Sequence, residues 1–149
     1  MNTPAPSLKG RALRLLSTRE HSRAELERKL ANHEEVPGSL AQALDELQAK
    51  GFISDQRVIE SVVHRRAGNL GALRVRQELQ AKGLDKEAVS QAVADLQATE
   101  LERARGVWQK KFDAPPADAA ARAKQMRFLA ARGFGADTIR RVVGGAFDD

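Results

Sequence analysis

The sequence predicts an all-α chain of three tandem three-helix repeats, and three observations lead there. Composition is the first: Ala, Leu, Arg, Gln and Glu dominate, aromatics reach only 4%, Tyr is absent and Trp108 stands alone. These are good helix formers, whereas a sheet protein needs more β-branched and aromatic residues. The second is a recurring apolar pattern. Leu30 is followed by Leu40, Leu44 and Leu47; Leu79 by Val89, Val93 and Leu96; Leu129 by Ile139 and Val143. The third is a turn inside each copy, at Val36-Pro37-Gly38-Ser39, Lys82-Gly83-Leu84-Asp85 and Arg132-Gly133-Phe134-Gly135. A period near 50 residues marks an array of supersecondary units. One such unit buries too little surface to fold alone, so neighbours must cover one another. The expected repeats are residues 8–50, 51–98 and 99–147.

Residues 1–7 are a proline-bearing lead. Leu8, Ala12, Leu15 and Leu16, with Leu13 on the flank, mark a helix that ends near Ser17-Thr18. Ser22-Arg-Ala-Glu25 is a capping-box pattern that opens a second helix with Leu26 and Leu30 buried. Pro37-Gly38 separates it from a third on Leu40, Ala43, Leu44 and Leu47. Ser54 is the expected N-cap of a helix that buries Val58, Ile59, Val62 and Val63 and exposes His64, Arg65 and Arg66. Gly68 to Gly71 turns into the central helix, where Val75 and Leu79 share a face with Leu73 beside them. Arg74 and Glu78 on that helix have the i,i+4 spacing of an ion pair. Gly83 ends the helix and Asp85 caps the next, whose stripe is Ala88, Val89, Ala92, Val93 and Leu96. Residues 99–112 form a helix with Leu101, Ala104, Val107 and Trp108 on one side and Phe112 at its end. Pro115-Pro116 breaks the chain. Ala117 to Arg132 is helical, with Ala121, Phe128 and Leu129 inward, and a last helix holds Ile139, Val142 and Val143. Gly144-Gly145 then releases an acidic tail ending in Asp148-Asp149.

Several chemistries are unsupported. Without Cys there is no disulfide, thiolate or sulfur-ligated zinc. His21, His33 and His64 lack ligand spacing and read as solvent-facing. No Gly-x-Ser-x-Gly elbow or phosphate loop is present. The sequence therefore predicts no enzyme and no cofactor. Nor is there a signal-peptide core or a bilayer-length apolar run, so a cytoplasmic protein with no membrane partner is expected.

Charge is the remaining signal. The net charge is +5, and it is sorted along the chain. Residues 61–82 carry five Arg or Lys against Glu78 alone, and residues 122–141 carry six against Asp137 alone, while 34–60 hold six acids and two bases. Such cations either solvate helix surfaces or meet a polyanion, with a steep salt dependence in the second case. The shortage of aromatics argues against a base-stacking platform. Trp108 and Phe112 have two readings as well, as core or as an exposed partner spot.

Four separated segments carry a resemblance. Gly51-Phe52-Ile53-Ser54-Asp55-Gln56-Arg57 and Gly71-x-x-Arg74-x-Arg76-Gln77-Glu78-Leu79-x-x-Lys82-Gly83-Leu84 look like the central signature of RecX regulatory proteins. Lys110-Lys111-Phe112 and Phe128-Leu129-x-x-Arg132-Gly133-Phe134 look like its C-terminal part. Ser54 and Val58-Ile59 depart from the usual pattern at a cap and a core position. The resemblance implies helix-turn-helix-like units in an elongated, curved array, and a monomer that binds the RecA recombinase and its nucleoprotein filament. It also implies restraint of the filament's ATPase, strand exchange and coprotease activities in DNA repair and the SOS response. An extended array can lie along a filament, so Arg65, Arg66, Arg74, Arg76, Lys82, Arg122, Lys124, Arg127, Arg132, Arg140 and Arg141 are the candidate contacts to filament acids or to single- or double-stranded DNA. Two rivals stand beside this reading: a helix-turn-helix transcriptional regulator and a protein–protein adaptor.

Overall fold

In the computed structural model, which describes residues 5–144, the chain forms nine α-helices among the described residues: α1 (Leu8–Thr18), α2 (Arg23–Leu30), α3 (Ser39–Ala49), α4 (Asp55–Arg66), α5 (Ala72–Ala81), α6 (Lys86–Ala98), α7 (Glu100–Lys111), α8 (Ala119–Ala131) and α9 (Ala136–Val143). A short 3-10 turn, Ala31–His33, extends α2. Residues 1–4 of the lead, residues 145–147 of the third repeat and the acidic tail lie outside the described residues.

Local chemistry sets the helix ends. Ser22 accepts from the Glu25 N–H while the Glu25 carboxylate accepts from the Ser22 N–H, completing the capping box of α2. Ser54 Oγ caps α4 through the Arg57 N–H, and Asp85 caps α6 through Ala88. Helix α8 starts at Ala119 because Asp118 caps it through Ala121, two residues later than the sequence suggests. Gly38, Gly83 and Gly133, one between the second and third helices of each unit, all have left-handed φ, at 87°, 65° and 87°. A Cβ there would be strained, so glycine is what turns each second helix sharply into the third.

Each unit has its own core. Leu26, Leu30, Leu40, Leu44 and Leu47 cluster in the first, Val58, Val75, Leu79, Val89 and Val93 in the second, and Ala104, Leu129, Phe134, Ile139 and Val143 in the third. Every recurring anchor of the apolar pattern is at most 7% exposed. Leu73, expected beside Val75, is 49% exposed, and Ala72 takes the buried position instead.

The units join through their second helices, end to end. At the first joint the N-terminus of α2 meets the C-terminal turn of α5: the Ser22 hydroxyl donates to the Lys82 carbonyl and Arg28 donates to the Ala81 carbonyl at 3.0 Å. At the second joint the N-terminus of α5 meets the C-terminal turn of α8. There Gly71 N–H donates to Arg132 O at 2.7 Å and Leu73 N–H to Gly133 O at 3.2 Å. Helix ends leave N–H and C=O groups without intrahelical partners, and these joints pair the positive end of one dipole with the negative end of the next. Among the described residues, hydrogen bonds and ion pairs link the first unit to the second and the second to the third, and none links the first to the third. The accessible surface is 9524 Å², against roughly 7500 Å² for a compact monomer of this mass. The units thus lie in a row and the molecule is elongated.

Two polar side chains are drawn in among the helix ends. His21, read as solvent-facing, is 1% exposed. Its Nδ1 lies 3.0 Å from the Arg19 carbonyl and its Nε2 lies 3.1 Å from Lys29 Nζ. Burial lowers its pKa against the carbonyl's opposing pull, so the ring is neutral, donating from Nδ1 and accepting at Nε2. His33 and His64 are exposed as expected. Arg103 binds the Ala67, Leu70 and Leu96 carbonyls at 2.7–2.9 Å, tying α7 to the ends of α4 and α6. Burial lowers its pKa, with Glu100 partly opposing.

Glu25 gives the first joint a pH dependence. Burial alone would raise its pKa, but bonds from Arg19 and the Ser22 N–H, with the Lys82 ammonium 3.6 Å away, bring it down to about 2. A carboxylate held below its unfolded value stabilises the fold at neutral pH and loses that contribution as pH falls from about 4.5 towards 2. The full shift corresponds to about 3 kcal/mol, which solvent screening through the exposed Arg19 reduces to roughly 1–2 kcal/mol. Denaturant titrations at pH 7 and pH 3 should show Glu25→Gln destabilising the chain at pH 7 by that amount and much less at pH 3. Equal destabilisation at both pH values would contradict the assignment.

Candidate polyanion-binding face

The basic residues singled out by sequence divide into two groups. One group serves the joints. Lys82 is only 15% exposed and faces Glu25. Arg74 donates to the Ala131 carbonyl at 3.3 Å, and its aliphatic stem lies over Gly133. The Arg74–Glu78 pair expected from spacing does not form, because Glu78 lies 3.2 Å from Arg66 and 4.0 Å from Arg65 instead. Two guanidinium groups sharing one carboxylate leave a net positive charge where α4 ends over α5.

The other group points outward. Lys124, Arg127 and Arg141 are exposed, and Arg76, Arg122 and Arg132 are half-buried. Among the described residues none of these six forms an ion pair with a carboxylate. Arg140 pairs with Asp137 on the exposed face of α9. The Arg132 guanidinium sits over the Phe128 ring, 4.5 Å from its centroid, with Lys111 5.8 Å from the same ring. Phe128 packs edge-on against Phe112 at 5.4 Å, and Phe112 is 6.5 Å from Trp108. Trp108 donates its indole N–H to Gln125, which is 5% exposed. The core reading describes Trp108, which packs on the third core with Phe128, while Phe112 is half-buried against both rings; Phe128 also supports two cations at the surface.

Further cations lie outside the two basic segments of the sequence. Arg11 and Arg14 on α1, Lys29 on α2 and His33 surround a hollow of about 210 Å³ on the first unit. Lys86 opens α6 beside Arg76, Gln80 and Ser90. No three His, Asp or Glu side chains gather into a metal-ligating group among the described residues. No helix there is long and apolar enough to cross a membrane. What the surface offers is guanidinium and ammonium groups held at fixed spacing by rigid helices, which suits binding to anions.

Three family models match in order: the first three-helix domain of RecX over residues 9–47, the second over 54–93 and the third over 98–143. The regulatory protein RecX of Leptothrix cholodnii is 53% identical over 142 residues, covering 95% of this chain and 90% of the relative. That of Ralstonia nicotianae is 50% identical over 94% of this chain and 88% of its own. The crystal structure of RecX from Lactobacillus salivarius has the same fold, with a TM-score of 0.76, 20% identity and 93% of each chain covered. The chain, a row of three helical units joined end to end, therefore belongs to the RecX family of regulatory proteins.

Proposed function

We propose that this protein is a non-catalytic, cytoplasmic regulator that binds the RecA recombinase filament as a monomer and restrains its ATPase, strand exchange and coprotease activities. Its family membership supports a regulatory role, and one structural observation supports the route: outward cations without carboxylate partners on the second and third units of an elongated body. A row of units can touch successive subunits of a helical filament, so weak contacts add through effective concentration. In this reading Arg65, Arg66, Arg76, Arg122, Lys124, Arg127, Arg132, Arg140 and Arg141 face filament acids or exposed phosphate. Arg74 and Lys82 act differently, by fixing the angles between units.

Titration of the full chain into a recombinase ATPase assay on single-stranded DNA tests this. The expected result is saturable inhibition that weakens as salt rises. A flat ATPase rate, with specific protection of a palindromic duplex, would instead favour a helix-turn-helix transcriptional regulator. A flat rate with no DNA binding at low salt would favour an adaptor.

A further inference from the structure

The second unit carries an open groove of about 520 Å³ between α4 and α6, and its lining holds no Lys, Arg or His although the chain's net charge is +5. Gln56, Ile59, Glu60, Val63 and Ala67 form one wall, at i, i+3, i+4, i+7 and i+11 along α4 and its C-cap. Ala88, Gln91, Ala92, Asp95 and Thr99 repeat that spacing along α6 and its C-cap. Each wall is thus one continuous helix face, about 16 Å long at the α-helical rise. Arg103 binds the Ala67 and Leu96 carbonyls at 2.9 and 2.7 Å, which fixes the two helix ends beside each other. The floor is apolar: Ile59 and Leu96 are buried, and Val63, Ala88 and Ala92 are half-buried above them. The small side chains of Ala88 and Ala92 keep the α6 wall low, so the backbone of an incoming helix can come close.

One carboxylate stands on each wall. Gln56 donates to Glu60 at 3.3 Å and Gln91 to Asp95 at 3.1 Å, the same i, i+4 arrangement on both helices. Both acids are exposed, and neither forms an ion pair among the described residues. Two such carboxylates repel a phosphate backbone, so the groove is no part of a polyanion-binding surface. A long apolar trough with a negative charge on each rim complements a helix whose apolar stripe is flanked by cations on both sides.

We propose that the α4–α6 groove is a docking site for a basic amphipathic helix of a partner protein. Apolar residues of that helix at i, i+3, i+4 and i+7 enter the trough, and a Lys or Arg on each flank meets Glu60 and Asp95. This goes beyond the proposed function and does not rest on it, since that function uses the cations of the chain and this site uses its acids.

The probe is a fluorescein-labelled peptide of about 15 residues, short enough to be largely unfolded when free, with Leu at the stripe positions and Lys on both flanks. Anisotropy titration with the full chain should give saturable one-to-one binding, accompanied by a gain in helical circular dichroism. The chain's net charge opposes a cationic peptide at long range, so binding has to come from a local site. Glu60→Lys/Asp95→Lys turns two exposed charge pairs repulsive and should weaken binding about tenfold. Ala92→Gln adds bulk to the floor at unchanged charge and should weaken it as well. The control Glu35→Lys/Asp113→Lys makes the same charge change at exposed positions outside the groove, and should bind within about twofold of wild type. A peptide with the same stripe and Glu flanks should bind about tenfold more weakly than the Lys-flanked one. The site is overturned if the Lys-flanked peptide does not bind, or if the Glu-flanked peptide binds equally well. It is overturned too if the groove variants, with unchanged helical circular dichroism, bind as the control does. Sedimentation of the chain alone gives a further check: a dimer that Ala92→Gln returns to monomer would make a second copy the occupant and overturn the proposal. Recombinase inhibition by the wild-type chain is a separate readout, so either result can fail without the other.

Discussion

Gly71→Ala is expected to lower the melting temperature by roughly 10 °C and to uncouple the third unit from the second. A Cβ at Gly71 would stand 2.4 Å from the carbonyl carbon and oxygen of Gly133 and 2.5 Å from the Phe134 nitrogen. These are backbone atoms of the α8–α9 turn, and Gly133 is held there at φ 87°, so no rotamer change can relieve the overlap. The joint must open, weakening the Gly71–Arg132 and Leu73–Gly133 bonds at 2.7 and 3.2 Å. Overpacking and two strained hydrogen bonds together cost about 3–4 kcal/mol. A chain of this length loses some 2–4 °C per kcal/mol, on the order of 10 °C here. Gly68 is the internal comparison, since a Cβ there meets nothing within 4 Å and its φ is not left-handed. Gly68→Ala should therefore be neutral or slightly stabilising, within about 1 kcal/mol. Thermal melts of the pair check this, and equal melting temperatures for the two variants would mean that the joint does not hold the units together.

Glu100→Ala is expected to cost about 2–4 kcal/mol, the next largest effect of one substitution. Glu100 is 7% exposed at the start of α7. Its Oε1 accepts from the Ala72 N–H at 2.9 Å and its Oε2 from the Thr138 hydroxyl at 2.9 Å. One carboxylate from the third unit thus caps the first turn of α5, whose own N-cap, Gly71, has no side chain to do so. Alanine would leave both donors unpaired at a contact between units. Glu100→Gln, which keeps a carbonyl acceptor, should lose about half as much. Urea denaturation of the two variants, and of each combined with Thr138→Val, measures the share carried by that hydroxyl. A Glu100→Ala chain as stable as wild type would remove the carboxylate from the joint.

The helices were legible because their information is local. Period-3.6 stripes, the Ser22 capping box and the turn glycines sit within a few residues of what they specify, and the core anchors followed from them. The joints were not legible, because their partners lie 28 to 61 residues apart and share no periodicity. Gly71 and Gly133 were readable as turn residues, but their close approach to each other was not. Leu73 was misplaced for the same reason: the N-terminus of α5 abuts the end of α8, where Ala72 fits and a leucine does not. His21 reads as solvent-facing and Glu100 carries no signal of its own in the sequence, yet the folded chain leaves them 1% and 7% exposed.

Charge was half legible. Counting by segment found Arg65, Arg66, Arg76, Lys124, Arg127 and Arg141, which the fold leaves at its surface. The same count could not tell that Lys82 and Arg74 would turn into the joints, nor that Lys86 would stand across from Arg76. Two helices meeting at a turn decide that, and neither contains it alone.

The most direct measurement is inhibition of the recombinase ATPase on single-stranded DNA by a chain in which Arg65, Arg66, Lys124, Arg127 and Arg141 are reversed to glutamate, leaving both joints intact. Unchanged helical circular dichroism and melting temperature, together with loss of inhibition at concentrations where the wild-type chain saturates, is the predicted result. Inhibition undiminished by five reversed charges would show that the positive surface of this array is not what meets the filament.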